Sequence, residues 1–147
     1  MPSVKDIMVR DVISVSAESS VYDAAELMDS KAIGCLIVVE GEKPVGIVTE
    51  RDLVRRVIAR KLPYSLKVSE IMTKNLVVAD PDVSLKEAAR AMSTNRIRRL
   101  PVVKNGKLVG IVVASDFIRN QGKKSLTEEI VEAMGRYPPG TIDYGLR

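Results

Sequence analysis

Gly46-Ile47-Val48-Thr49-Glu50-Arg51-Asp52 is the stretch on which the fold turns. An apolar run ends in polar residues, and a carboxylate stands at the head of what reads as a helix, Leu53-Val54-Arg55-Arg56-Val57-Ile58. Thr49 and Asp52 have capping-box spacing, in which each side chain takes up a backbone N–H left unpaired by the first helical turn. That reading accounts for the stretch alone. The stretch returns, however, as Gly110-Ile111-Val112-Val113-Ala114-Ser115-Asp116. Val113 stands where Thr49 stood, so the box is lost, yet the aspartate remains. A carboxylate kept without its capping partner invites another explanation.

The return extends well beyond these seven residues. Val4 to Arg55 pairs with Val68 to Arg119 at a constant offset of 64 (72 − 8, from Met72 and Met8) without a gap. Ile7-Met8 meets Ile71-Met72, Ala24-Ala25 meets Ala88-Ala89, and Val45-Gly46-Ile47-Val48 meets Val109-Gly110-Ile111-Val112. About a third of the paired positions are identical, which marks a duplicated supersecondary unit. Two copies are too few for an open solenoid, so a closed pair is expected.

Within each copy the order reads β-α-β-β-α. In the first, Val12-Ile13-Ser14-Val15 is a strand. Ser19 or Ser20 caps a helix whose apolar face carries Val21, Ala24, Ala25 and Met28. Leu36 to Val39 is an apolar, buried strand, and Val45 to Val48 returns after the turn Gly41-Glu42-Lys43-Pro44. A helix from about Asp52 to Arg60 closes the unit, and Pro63 keeps the following linker from being helical. The second copy predicts a strand near Leu76-Val77-Val78, a helix from Ser84 to about Ser93, and strands near Leu100–Val103 and Leu108–Val112. Asn105-Gly106 between apolar runs is the strongest hairpin signal in the chain. Ser125 to Met134 reads as a further short helix, capped by Ser125, before the turn Tyr137-Pro138-Pro139-Gly140.

Composition narrows the function. The 147 residues hold 23 Lys+Arg and 19 Asp+Glu, a net charge of +4, which is a mild bias toward anionic partners. One Phe, four Tyr and no Trp argue against a stacking platform for single-stranded nucleic acid. The absence of His removes the commonest general base and metal ligand. No apolar run nears the ~18 residues of a membrane span and no signal peptide opens the chain, so a cytoplasmic protein is expected. The lone Cys35, within the apolar stretch Ile33 to Val39, reads as a small core residue. No phosphate loop, CxxC or nucleophile elbow is present. Glu128, Glu129 and Glu132 read as a solvated helix face rather than a metal site.

The constellation that remains suits binding. An ionised carboxylate is an acceptor with two oxygens, matching the two vicinal hydroxyl donors of a ribose. Asp52 and Asp116 each stand where a strand gives way to a helix. Arg96-Ile97-Arg98-Arg99 supplies guanidinium forks suited to phosphate, with Arg98 and Arg99 on opposite faces if they lie in a strand.

The repeat resembles the cystathionine β-synthase (CBS) domain, which occurs as tandem pairs. The likeness is carried by Val4-Lys5-Asp6-Ile7-Met8 with Val68-Ser69-Glu70-Ile71-Met72, by Leu100-Pro101-Val102-Val103, and by the two Gly-Ile-Val…Asp stretches. It covers about residues 1–120. It implies an α/β fold of two repeated β-α-β-β-α units forming a pseudo-two-fold CBS pair: repeat 1 over 1–60, a linker over 61–67, repeat 2 over 68–120 and a C-terminal helical tail over 121–147. It also implies a non-enzymatic regulatory module that binds AMP, ADP or ATP in clefts between the repeats, with no catalytic residue, metal or cofactor. Carried over by motif, one site comprises Ile47, Thr49 and Asp52 with Leu76, Val77, Ile97, Arg98 and Arg99, and Ser115 at its phosphate end. The other comprises Ile111 and Asp116 with Val12, Ile13, Ile33, Gly34 and Cys35, and Arg51 near the phosphates. Val113 departs from the motif's Thr/Ser in that second site.

Three alternatives stand beside the nucleotide sensor. One is an S-adenosylmethionine sensor. Another is an interaction or dimerisation module with no small ligand. The third is a nucleic-acid binder using the Arg51–Lys61 helix, whose charges read more simply as a solvated face. A homodimer is expected, because Leu53, Val54, Val57, Ile58 and Phe117, Ile118 exceed what packing on one sheet face requires. A regulated protein partner is implied but not identified.

Overall fold

A computed structural model of the chain describes residues 2–119. The helix expected over Ser125–Met134 and the turn at Tyr137–Gly140 lie outside the described residues. The described chain divides into two compact units, one of residues 2–12 with 77–119 and one of residues 13–76.

The unit of residues 13–76 is built on a three-stranded sheet in the order β1 (Ser14–Ser16), β2 (Cys35–Glu40), β3 (Lys43–Thr49). β1 runs parallel to β2, and β2 antiparallel to β3. A parallel neighbour needs a crossover, and α1 (Val21–Lys31) supplies it. Ser20 caps α1, its hydroxyl accepting the Asp23 N–H at 3.0 Å. Val21, Ala24 and Met28 are buried on one helical face, as the spacing predicts. Cys35 to Val38 are all buried, so β2 is covered on both faces.

In the other unit, α3 (Leu85–Asn95) packs beside the hairpin of β4 (Arg99–Lys104) and β5 (Lys107–Val113). Asn105 and Gly106 both have left-handed φ, 51° and 78°, as an Asn-Gly hairpin turn requires. The strand expected at Leu76-Val77-Val78 is not formed. Only Ala79 bridges to Val102, its N–H donating to Pro101 O at 2.9 Å while its carbonyl accepts from Val103 N–H at 2.8 Å. Val78 stays exposed, and Asp80-Pro81 follows at once. A proline cannot donate to a ladder, which bars the extension of that pairing.

The repeats and the compact units are cut differently. The short segment that leads each repeat packs in the unit holding the body of the other. Val4 N–H donates to Val83 O (2.9 Å) and Lys5 N–H to Pro81 O (3.0 Å). In the 13–76 unit, Val68 N–H donates to Ser19 O (2.8 Å) and Ser69 N–H to Ala17 O (3.2 Å). Val4 and Val68 are wholly buried, each in the core of its own unit. Burying a valine side chain contributes about 1.5–3 kcal/mol, so these segments are held by packing as well as by backbone bonds.

The helix after β3 begins at Glu50, two residues earlier than expected. α2 (Glu50–Leu53) continues as a π-helical turn over Val54–Ile58, with Ala59 N–H donating to Val54 O at 2.8 Å. In the other unit α4 (Ala114–Arg119) follows β5 directly.

Candidate functional site

Each unit gathers its candidate residues at one end of its hairpin. In the 13–76 unit Cys35 pairs with Thr49, and Glu50 N–H donates to Gly34 O at 3.0 Å. Ile33, Gly34 and Cys35 therefore adjoin Ile47, Thr49 and the start of α2. In the other unit Arg99 pairs with Val113, and Ala114 N–H donates to Arg98 O at 2.9 Å. Ile97, Arg98 and Arg99 thus adjoin Ile111, Ser115 and the helix that carries Asp116.

A backbone device shared by both units turns the chain into these positions. α1 and α3 end in left-handed residues, Ala32 (φ 53°) and Arg96 (φ 55°). The usual choice there is glycine, since a side chain makes this conformation costly. The reversal directs residues 33–35 and 97–99 toward the strands. β4 begins only at Arg99, so Arg98 precedes the strand, and strict alternation does not govern the pair. Arg98 and Arg99 are half-buried, with Nε of Arg98 and Nη2 of Arg99 wholly so.

Asp52 carries the most defined geometry. Thr49 is the N-cap: its hydroxyl accepts the Asp52 N–H (3.2 Å), and Asp52 Oδ2 accepts the Thr49 N–H (3.0 Å). The capping box read from sequence is formed, and it holds the carboxylate in place without exhausting it. Oδ1 faces Arg56 Nε at 3.5 Å, and the carboxylate side chain keeps 14% of its exposure. A carboxylate has about four lone-pair sites, so acceptor capacity remains for a ligand's hydroxyls.

The segment after the linker runs alongside. Ile47 and Thr73 exchange both backbone bonds, Ile47 N–H to Thr73 O at 3.0 Å and Thr73 N–H to Ile47 O at 2.9 Å. This brings the approach to Leu76 beside Ile47 in one unit. Val9 and Ile111 form the matching pair in the other, placing the approach to Val12 beside Ile111. Of the first expected set, Ile47, Thr49, Asp52 and Leu76 belong to the 13–76 unit. Val77, Ile97, Arg98, Arg99 and Ser115 belong to the other. Of the second set, Ile111, Asp116 and Val12 share one unit, and Ile13, Ile33, Gly34, Cys35 and Arg51 the other. Arg51 and Ser115 are exposed, and Gly34 and Cys35 are buried.

Arg56 escaped the sequence reading. Its Nη1 donates to the Ile71 carbonyl at 2.9 Å while its Nε faces Asp52. The i,i+4 spacing from Asp52 was the available signal. The contact with Ile71 had none, because it joins residues fifteen apart through tertiary packing.

The family model for the CBS domain matches residues 4–59 and again 68–123. The chain belongs to the CBS-domain family. CBS pairs are regulatory modules, and the two matched stretches are the two repeats read from the offset of 64. The CBS domain-containing protein YhcV of Bacillus subtilis (strain 168) is 40% identical over 121 residues, covering 82% of this chain and 86% of that one. The uncharacterized protein YlbB of the same organism is 40% identical over 137 residues, covering 92% and 88%. Among solved structures, CBSX2 in complex with AMP is similar with a TM-score of 0.69 and 31% identity, covering 81% of this chain and 95% of that one. Among the described residues of this CBS protein, no helix is long and apolar enough to cross a membrane.

Proposed function

We propose that this CBS pair is a non-catalytic sensor of adenine nucleotides, AMP, ADP or ATP, in which Asp52 accepts the ribose hydroxyls. One observation carries the reading: a carboxylate fixed by its own helix cap, partly exposed, with acceptor capacity left over. A similar CBS protein solved with AMP supports the choice of ligand class. Asp116 takes the same role in the second repeat by the offset of 64. Ile47, Thr49 and Leu76 support the Asp52 position, and Ile111 and Val12 the Asp116 position. Arg98, Arg99 and Arg51 supply the phosphate contacts, S-adenosylmethionine is the next ligand to test, and no cofactor is needed. A cytoplasmic setting fits the lone, buried Cys35.

A second reading, an interaction module without a small ligand, is favoured by a different feature. Tyr22, Val54, Ile58 and Tyr64 are exposed on the 13–76 unit, with Val54 and Ile58 more than half accessible. Tyr22, Ile58 and Tyr64 line one apolar hollow with Leu53 and Val57.

A thermal-shift panel of AMP, ADP, ATP, S-adenosylmethionine and an oligonucleotide separates them. An adenine ligand at ~100 times its dissociation constant adds about 2.7 kcal/mol and raises Tm. No shift with any adenine compound at millimolar concentration rejects the sensor.

A further inference from the structure

We propose that Arg56 is a positioning residue that couples a ligand on Asp52 to the segment Ile71–Thr73, and so to the chain that leaves this unit at Leu76. The proposal rests on the reading of Asp52 as a ribose acceptor and names how that site is regulated.

The guanidinium is divided between two kinds of partner. Its Nη1 makes a formed bond to the Ile71 carbonyl at 2.9 Å and a marginal one to the Met72 carbonyl at 3.5 Å. Its Nε stands 3.5 Å from Asp52 Oδ1. A charge-assisted N–H···O bond closes to about 2.7–2.9 Å, so the carboxylate contact is the loose one. Oδ2 already holds the Thr49 N–H, which leaves Oδ1 as the oxygen with the most free acceptor capacity.

Hydroxyls donating to Oδ1 satisfy that oxygen and weaken its pull on Arg56. The guanidinium then settles on the two carbonyls. Those carbonyls precede Thr73, whose N–H and C=O pair with Ile47. The Met72 thioether lies against Gly46, where an added Cβ would come within 2.9 Å of Met72 Cγ. Ligand occupancy thus tightens a segment joined to β3 at Gly46 and Ile47 and to the π-helical turn at Arg56. The chain runs on from that segment to Leu76, and residue 77 opens the other unit. The repeat partner of Arg56 at the offset of 64 is Asn120, which has no guanidinium fork, so this coupling belongs to the Asp52 position alone.

The test is amide hydrogen exchange at Ile47 and Thr73 in the full chain, followed by NMR with the Arg56 Nε–H signal. It is run without ligand, with AMP, and with 2′,3′-dideoxyadenosine monophosphate, in the wild type and in Arg56→Gln. Saturating AMP should slow exchange at both amides roughly tenfold, the scale of one charge-assisted bond gained, and should shift the Arg56 signal. The dideoxy compound should do neither, and Arg56→Gln should abolish the slowing. AMP binding that discriminates against the dideoxy compound, yet leaves the Arg56 signal fixed or the protection intact in Arg56→Gln, overturns the coupling alone. A wild type that binds no adenine nucleotide, or binds both compounds equally by calorimetry, overturns the ribose reading and the coupling together. The wild-type Arg56 signal decides the matter even if the variant does not fold.

Discussion

Gly46→Ala should destabilise the protein markedly more than Gly110→Ala, although the two glycines occupy equivalent places in the repeats. Each follows a bulge, at Val45 and Val109, where the hairpin register slips. Neither has a left-handed φ, so an alanine backbone fits both, and only space decides. A methyl group on Gly46 would sit 2.9 Å from the Thr73 carbonyl oxygen and from Met72 Cγ, and closer still to Met72 Sδ. A methyl group on Gly110 would meet Met8 Sδ at 2.5 Å but the nearest carbonyl, Val9 O, only at 3.1 Å. Ordinary contact begins at 3.4 Å, so the backbone must yield 0.5 Å (3.4 − 2.9) in the first case and 0.3 Å (3.4 − 3.1) in the second. A methionine side chain rotates away cheaply, whereas both carbonyls are bound, Thr73 O to Ile47 N–H and Val9 O to Ile111 N–H, each at 3.0 Å, so the closer approach at Gly46 makes the difference. Overpacking costs about 1–3 kcal/mol, toward the upper end where a bonded carbonyl must move further. The loss of unfolded-state freedom returns about 0.4–1 kcal/mol in both variants. The net loss is about 2–2.6 kcal/mol for Gly46→Ala (3 − 1 to 3 − 0.4) and about 0–0.6 kcal/mol for Gly110→Ala (1 − 1 to 1 − 0.4). Urea unfolding followed by circular dichroism reads this as a midpoint about 1 M lower for Gly46→Ala at unchanged slope. Equal midpoints, or a larger loss in Gly110→Ala, refute the argument from Thr73.

Asp52→Ala should weaken AMP binding about tenfold to a hundredfold, from the ~1.5–3 kcal/mol of hydrogen bonds to a charged group. The loss should spare compounds without ribose hydroxyls, and calorimetry on folded variant checks both points. Ala32→Gly should stabilise the fold by about 0.5–1 kcal/mol, because the left-handed φ of 53° strains alanine by more than glycine loses in entropy; a lower melting temperature counts against it. Acid should destabilise the protein below the ordinary carboxylate range. The Lys5 Nζ bond at 2.8 Å and the Lys5 charge depress the Asp82 carboxyl, and the Ser3 N–H at 2.8 Å depresses that of Asp6. Groups depressed by folding add stability above about pH 4 that is lost as pH falls through their folded values. The Asp6→Asn/Asp82→Asn variant should therefore show a flatter acid limb in a pH series of melts. Light scattering at tens of micromolar should show a dimer, and Ile58→Asp should make it monomeric; a monomeric wild type rejects the apolar face as a self-interface.

What could be read from the chain alone was what depends on near neighbours. The caps at Ser20, Thr49 and Ser84 need only a side chain and an N–H three residues on. The Asn105-Gly106 turn needs two residues that tolerate left-handed φ. The buried faces of α1, α3 and β2 follow from period, and the duplication from a constant offset. The same evidence carried Asp52 and Asp116 as candidates, because repetition kept the aspartate where the capping partner had gone.

Tertiary structure alone decided where the ends of these elements go. No local pattern says that Val4 enters the core beside Leu85, or Val68 the core beside Val21. No pattern shows that Ala79 bridges where a strand was expected, or that the helix after Asp52 widens into a π-helical turn. The clamp of Arg56 on Ile71 and the seat of Met72 on Gly46 are likewise invisible in sequence. Each is a contact between segments distant along the chain, whose loop-closure cost is met only once both cores have formed. Sequence pattern records the preference of a residue for its neighbours; the partner it meets across the fold is settled by where packing carries the rest of the chain.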